Sequence, residues 1–263
     1  MTGTDKVRLE FEHEGQVARV VLSAPRANIV DQPMIAALES AFDELASRAD
    51  LKAIVLAGDG PNFSFGASVQ EHLPEHIADA LSRLHALLRQ IARAPAPTIA
   101  AVRGQCLGGG FELVLACDLV LAEETAQLGC PEIQLGVFPP AASALLPVRI
   151  GGGAAAALVL GGKNISASTA AGIGLVNRIA APGQLDAALS EWLAAEFLPR
   201  SASALRCAAL AIRRPLLRAL KDDLPALERL YLQDLMSDPD AVEGIRAFLE
   251  KRTPRWRGVG ATA

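Results

Sequence analysis

Two carboxylates sit in apolar company. Glu112 follows the glycine run Gly108-Gly109-Gly110 and opens a stretch of Leu, Val and Ala. Glu132 lies 20 positions further on, between Gly129-Cys130-Pro131 and Ile133-Gln134-Leu135-Gly136. Paired carboxylates in apolar surroundings can divide the acid and base roles at neutral pH, because burial lifts a carboxyl toward the working range. Residues 104–110 read as a Gly-rich loop between a buried strand and a helix. The loop has neither the Gly-Lys-Ser/Thr of a P-loop nor the GxGxxG spacing of a dinucleotide site. Glycines there let the backbone approach a ligand, and a helix start offers free N–H groups suited to a developing oxyanion. A second small-residue loop, residues 63–68 with Gly66-Ala67-Ser68, offers a second backbone donor at Ala67. From these residues alone the plain readings stand beside the chemical ones: tight turns for the two loops, a helix-end charge for Glu112, and a surface loop for Glu132.

Other chemistry is poorly represented. His13, His72, His76 and His85 read as strand or helix residues away from any GxSxG elbow, which argues against a hydrolase triad. Cys106, Cys117, Cys130 and Cys207 form no CxxC pair and have no His at zinc-ligand spacing, so free thiols are expected and no metal site. Arg213-Arg214 and Lys251-Arg252 read as solvated helix faces.

The elements that must position the carboxylates follow from periodicity. With 263 residues, 51% hydrophobic and 21% charged, the chain can bury a large core as one domain, or as one domain with an appended piece. The net charge of −4 leaves no basic footprint, so nucleic acid is not expected as a partner. The charged N-terminal stretch does not resemble a signal peptide, and no apolar run reaches membrane-spanning length, so a cytoplasmic chain is expected. Residues 7–12 and 17–22 alternate as strands around a turn at Gly15-Gln16. Asp31 before Pro33 marks a helix start. Residues 53–57, 98–102 and 119–122 are short apolar runs of the buried-strand type, with helical stripes between them. This rhythm is that of an α/β fold. From about residue 153 the pattern turns helical, over 154–160, 168–171, 184–197, 203–220, 224–236 and, after Asp238, 239–251. The composition shift near 197–200 divides a core, residues 1–197, from a C-terminal helical region, residues 198–263.

Taken together, residues 53–58, 63–68, 101–113, 117–118, 131–136 and 248–252 resemble the crotonase superfamily, also called enoyl-CoA hydratase/isomerase, in their order and spacing. The resemblance implies a ClpP/crotonase-like spiral of ββα turns, a C-terminal helical trimerisation region, and a homotrimer or dimer of trimers. It implies an acyl-CoA thioester as substrate, with coenzyme A as part of that substrate and no separate cofactor. By the same match, the N–H groups of Ala67 and Gly109 form the oxyanion hole. Glu112 acts mainly as base toward water, and Glu132 mainly delivers the proton to carbon. CoA and substrate contacts fall on Arg26, Ala27, Ser64, Ser68, Val69, Gln70, Gly108, Phe248 and Lys251, the last two reaching the CoA of a neighbouring subunit.

Two segments depart from the common family pattern. Ser68 stands where many members have Asp, and residues 138–143 read Phe-Pro-Pro-Ala-Ala-Ser where a Pro-x-x-Gly-Gly segment is usual. Both fall at the acyl pocket, with Phe138, Pro139 and Pro140 as its expected walls, and they point away from a straight-chain substrate. Within the superfamily, residues 63–74 and 137–143 resemble the hydratases of a cyclohexa-1,5-diene-1-carbonyl thioester, which serve anaerobic benzoyl-CoA breakdown. The resemblance leaves a general short-chain hydratase, an isomerase, and a non-catalytic RNA-binding member as alternatives. Both carboxylates are present, which favours hydration over double-bond migration.

Overall fold

The computed structural model describes residues 2–4, 6–24 and 27–257. Strands β1 (Thr2–Thr4), β2 (Val7–Glu12) and β3 (Val17–Leu22) are antiparallel neighbours. Helix α1 (Gln32–Leu45) starts where Asp31 predicts, with the Asp31 carboxylate accepting from the Met34 amide and Pro33 in the first turn. Strand β4 (Ala53–Gly58), helix α2 (Ile77–Ile91), strand β5 (Thr98–Val102), short strand β6 (Gln105–Leu107), helix α3 (Gly108–Ala116), strand β7 (Leu119–Glu123) and short strand β8 (Gln127–Gly129) follow. Helices α4 (Pro140–Ile150) and α5 (Gly152–Gly161), strand β9 (Ile165–Ser166), helix α6 (Ala167–Gly172) and strand β10 (Arg178–Ala180) complete the sheets.

The larger sheet has the order β1-β2-β3-β4-β5-β7-β10, parallel from β3 onward. Its central strands are apolar throughout because both faces are covered, and successive side chains go to opposite cores. Ile54, Leu56 and Ala100 face α1–α4. Ala53, Val55, Ile99 and Ala101 face helix α7 (Leu185–Trp192), which brings Leu189 and Trp192 against them.

The smaller sheet is β6-β8-β9, extended by bridges from Ser64 to Cys106 and from Val30 to Ala67. Each turn of the chain therefore runs from a long strand to a short strand segment and then into a helix, and successive turns stack side by side. This is the α/β spiral that the resemblance implies. The Gly-rich stretch expected as a loop is instead strand β6 and the first turn of α3. The backbone amides of a loop would have stayed unpaired in the interior, whereas here the Gln105 amide donates to Asn62 Oδ1, the Leu107 amide donates to the Ser64 carbonyl, and residues 105–107 pair with β8 on the other side. His13, expected in a strand, lies in the turn after β2 with φ 51°.

The chain from Ala202 is helical: α8 (Ala202–Ile212), α9 (Arg214–Arg218), α10 (Leu224–Arg229) and α11 (Pro239–Leu249). Wide π-type turns, Ala219–Asp223 and Leu230–Asp234, flank α10, and Pro225 in its first turn lacks the N–H that a continuous helix would use. Leu216, Leu220 and Leu224 join the core beneath α4. Arg213, expected on a solvated face, is buried instead. Its guanidinium donates to the carbonyls of Ala94 and Ala96 and pairs with Asp118, which also accepts from the Thr98 amide. Every polar group around this buried charge is thus partnered, as such burial requires. Among the described residues, no helix is long and apolar enough to cross a membrane.

Candidate active site

The site forms where two turns of the spiral meet. The Val30 amide donates to the Gly66 carbonyl at 2.9 Å. A trans peptide points its C=O and N–H in opposite directions, so the Ala67 N–H of that same peptide unit faces away from Val30. On that other side lies Gly109. A Cβ built on Gly109 would stand 3.1 Å from Ala67 Cβ and 3.2 Å from Ala67 N, so the absent side chain is what allows the approach. Gly109 lies in the first turn of α3, where amides have no intrahelical acceptor. The backbones of two different turns thus meet at the edge of one space.

Helix α3 starts at Gly108, earlier than the sequence pattern indicates, which puts Glu112 in its second turn and 4% exposed. Its Oε1 accepts from the Ala142 amide at 2.8 Å, at the start of α4. Burial pushes the Glu112 carboxyl up to about 7, against the opposing pull of the Ala142 and Ala141 amides. Glu132 sits in the 3-10 turn Pro131–Leu135. Burial, then the charge of Glu112, pushes Glu132 up to about 8. Its Oε2 is buried with no hydrogen-bond partner. Gly108 has φ +49°, and a Cβ there would lie 2.8 Å from Glu132 Oε1. Only glycine serves both that backbone conformation and that approach.

Ala67, Gly109 and both carboxylates line one narrow inner chamber of about 30 Å³. Its walls are apolar: Val30 and Ile35, then Ile77, Leu81 and Leu84 of α2, then Phe138, Pro139 and Pro140. The three residues expected at the acyl pocket are therefore in it. Polar groups at the rim are Ser68, Glu71 and His72, with Tyr231 deeper among the apolar residues. An outer cleft shares Ala67, Ser68, His72 and Glu132 with the chamber. It runs past Phe65, Val69, Gln70, Gly108 and Phe248 to Arg252 and Pro254. Through the shared residues the chamber opens into the cleft and so to the surface.

The remaining expected contacts fall elsewhere. Arg26 lies outside the described residues. The Ala27 carbonyl accepts from the Phe65 amide and so braces the cleft wall. Ser64 is fully buried and lines neither space. Its hydroxyl donates to the Asn28 carbonyl at 2.8 Å and accepts from the Gly66 amide at 3.0 Å. Asn28, at φ 45°, donates in turn to the carbonyls of Asp59, Asn62 and Phe63. These two residues lock the loop that presents Ala67. Lys251 is exposed at φ 54° beside the cleft rather than in its lining.

Sequence reasoning set His72 aside and did not single out Tyr231. His72 lies in the turn Val69–His72, and its Nδ1 stands 2.9 Å from the Ser68 carbonyl. Since a carbonyl only accepts, Nδ1 carries the proton, and burial lowers the imidazole's pKa and keeps it neutral. Tyr231, in the second wide turn of the C-terminal helices, packs against Phe138 with ring centroids 5.5 Å apart. Among the described residues, no group of three or more His, Cys, Asp or Glu is gathered to hold a metal ion.

Residues 12–259 match the family model described as enoyl-CoA hydratase/isomerase. The chain is 44% identical over 250 residues to the cyclohexa-1,5-dienecarbonyl-CoA hydratase of Thauera aromatica, covering 95% of this chain and 96% of that protein. It is 34% identical to the mitochondrial methylglutaconyl-CoA hydratase of Rattus norvegicus, covering 97% of this chain and 84% of that protein. Among solved structures, an enoyl-CoA hydratase from Mycobacterium avium subsp. paratuberculosis K-10 superposes with a TM-score of 0.84 at 27% identity, covering 96% of this chain and 99% of that one.

Proposed function

The chain belongs to the enoyl-CoA hydratase/isomerase family, and on that premise we propose that it adds water to cyclohexa-1,5-diene-1-carbonyl-CoA, giving 6-hydroxycyclohex-1-ene-1-carbonyl-CoA. The observation that carries the reading is the pair Glu112 and Glu132 lining one apolar chamber beside the Ala67 and Gly109 amides. The 44% likeness to a ring-dienoyl hydratase supports the substrate.

The electron count fixes what each group does in this reading. Attack by water takes place at the ring carbon β to the thioester, because only there do the displaced electrons reach the thioester oxygen. Glu112 takes the water proton. The amides of Ala67 and Gly109 hold the oxygen as it gains charge, with no reorganisation needed. The resulting dienolate extends across the ring to the second double bond. The named product requires the new proton at the far end of that system, the γ-carbon, with the remaining double bond conjugated to the thioester. Protonation at the α-carbon would leave that double bond unconjugated. Glu132 delivers this proton, and the proton on Glu112 restores the pair for the next turnover. One water is consumed and no redox step occurs, so the proposal needs no cofactor beyond the CoA carried by the substrate.

The outer cleft takes the CoA arm in this reading, with Val69, Gln70 and Phe248 as its walls. Arg26 and Lys251 are proposed at the phosphate-bearing end, Lys251 toward a neighbouring subunit. Residues 198–263 are proposed as the oligomerisation region of a trimer or dimer of trimers. The exposed apolar side chains of Leu210, Ile212, Leu230 and Leu249 support that. The four free thiols support the cytoplasm as its setting.

The test offers the purified protein cyclohexa-1,5-diene-1-carbonyl-CoA and crotonyl-CoA in parallel and follows the gain of one water by mass spectrometry. Fast hydration of the ring diene with slow reaction of crotonyl-CoA is expected. The reverse preference makes the protein a general short-chain hydratase. Rearrangement without a mass change makes it an isomerase.

A further inference from the structure

One polar atom in the inner chamber has no part in the chemistry above. Tyr231 is 1% exposed, and its hydroxyl is buried without a hydrogen-bond partner. An unsatisfied buried hydroxyl costs stability, and a phenylalanine there would avoid the cost. Its immediate surroundings are apolar: Ile77, Leu81, Val137, Ile245 and the ring of Phe138. Yet the same chamber contains a second orphan, Glu132 Oε2, also buried and without a partner. Burial, then the charges of Glu132 and Glu112, push the phenol up, as fits a hydroxyl in the same chamber as both carboxylates. One water held between them would satisfy both unpaired atoms at once.

We infer that Tyr231 is a positioning residue for the hydration chemistry: its hydroxyl donates, through one water, to Glu132 Oε2 and fixes the direction in which that carboxyl faces the acyl group. The inference rests on the hydratase reading for its kinetic consequence, but the hydrogen bond itself can be observed without turnover. The wide turn Leu230–Asp234 is what swings residue 231 into the chamber, and such turns are often found at functional sites. The titratable groups facing the chamber are Glu71, His72, Glu112 and Glu132, of which His72 is held neutral by burial.

The chain has 1 tyrosine, so a tyrosine labelled with carbon-13 at Cζ gives one resonance that reports on this hydroxyl alone. In the parent protein that resonance is expected to shift with pH as Glu132 ionises, and in Glu132→Gln the shift should vanish. A resonance flat across pH 6–9 in the parent, or one that titrates equally in Glu132→Gln, overturns the inference. The second arm uses Tyr231→Phe, which keeps the ring. Because the hydroxyl donates to the ionised carboxylate, its loss should raise the Glu132 pKa and move the alkaline limb of activity to higher pH. Turnover should fall by about 10- to 100-fold, within the range for misplacing a proton donor, with KM nearly unchanged. A Tyr231→Phe protein with parental turnover and an unmoved alkaline limb also overturns it. A parent that hydrates neither thioester sinks the hydratase reading instead, and the resonance still decides whether Tyr231 and Glu132 are coupled.

Discussion

The Ala142 amide donates to Glu112 Oε1 at 2.8 Å, so the start of helix α4 favours the charged form of one carboxylate in the chamber. Glu132 has no such donor at its Oε2 and feels the charge of Glu112 in addition to burial. The two environments push the carboxyls apart. In the proposed hydration Glu112 is accordingly the base and Glu132 the acid.

A bell-shaped pH profile follows. Glu112 must be ionised to act as base, and with its carboxyl pushed up to about 7 the rate should fall as pH drops below that. Glu132 must be protonated to act as acid, and with its carboxyl pushed up to about 8 the rate should fall above that. The two limbs of kcat/KM against pH belong to the pair as a unit. A profile flat from pH 6 to 9 would contradict both assignments.

Glu132→Gln should cost about 100- to 10,000-fold in turnover, the usual scale for losing a general acid, while the acyl-CoA still binds. The same variant should be more stable than the parent in alkali. A carboxyl raised in the folded state contributes stability that is full below its unfolded value and is lost as pH rises through the folded one. Thermal unfolding should therefore favour Glu132→Gln by several degrees at pH 9, with the gap closing toward pH 5. Equal melting temperatures at pH 9 would show that the carboxylate ionises without penalty, contrary to its burial.

Gly109→Pro removes one of the two amides proposed for the oxyanion hole. An oxyanion donor of this kind is worth about 3–4 kcal/mol, so turnover should drop by about 100- to 1,000-fold. Proline's fixed φ suits a first helical turn, but its Cβ would stand about 3.1 Å from Ala67 Cβ, so part of the loss would come from displacing that loop. Circular dichroism and steady-state kinetics together check this, and an undiminished rate would remove Gly109 from the oxyanion hole.

Ser64→Ala should act on stability before binding. Its hydroxyl satisfies the Asn28 carbonyl and the Gly66 amide inside the protein. Leaving such buried groups unpaired costs about 1–3 kcal/mol, visible in urea unfolding. A variant of parental stability with a raised KM for the acyl-CoA would return Ser64 to the cleft wall, where the family resemblance puts it.

The strands and the starts of α1 and α11 were legible because their causes are local. Apolar runs of about five residues mark strands covered on both faces, and Asp31 and Asp238 cap the helices that follow them. The resemblance singles out Glu112, Glu132, Ala67 and Gly109 from short, distinctive stretches, and the structure brings these four to one chamber. Other features depended on partners far along the chain. Whether residues 104–110 form a loop or a strand turning into a helix was decided by the ladder from β6 to β8. Arg213 became a buried ion rather than a surface one because Asp118, 95 residues earlier, lies beneath it. Ser64 looks like any polar loop residue until Asn28 and Gly66 close around it. Tyr231 carries no local sign of a site, and only the packing of the C-terminal helices over the spiral brings its ring to Phe138 and into the chamber that Glu132 lines. A sequence records residue types and neighbours a few positions apart, whereas the burial that tunes these carboxyls comes from side chains assembled across the whole chain.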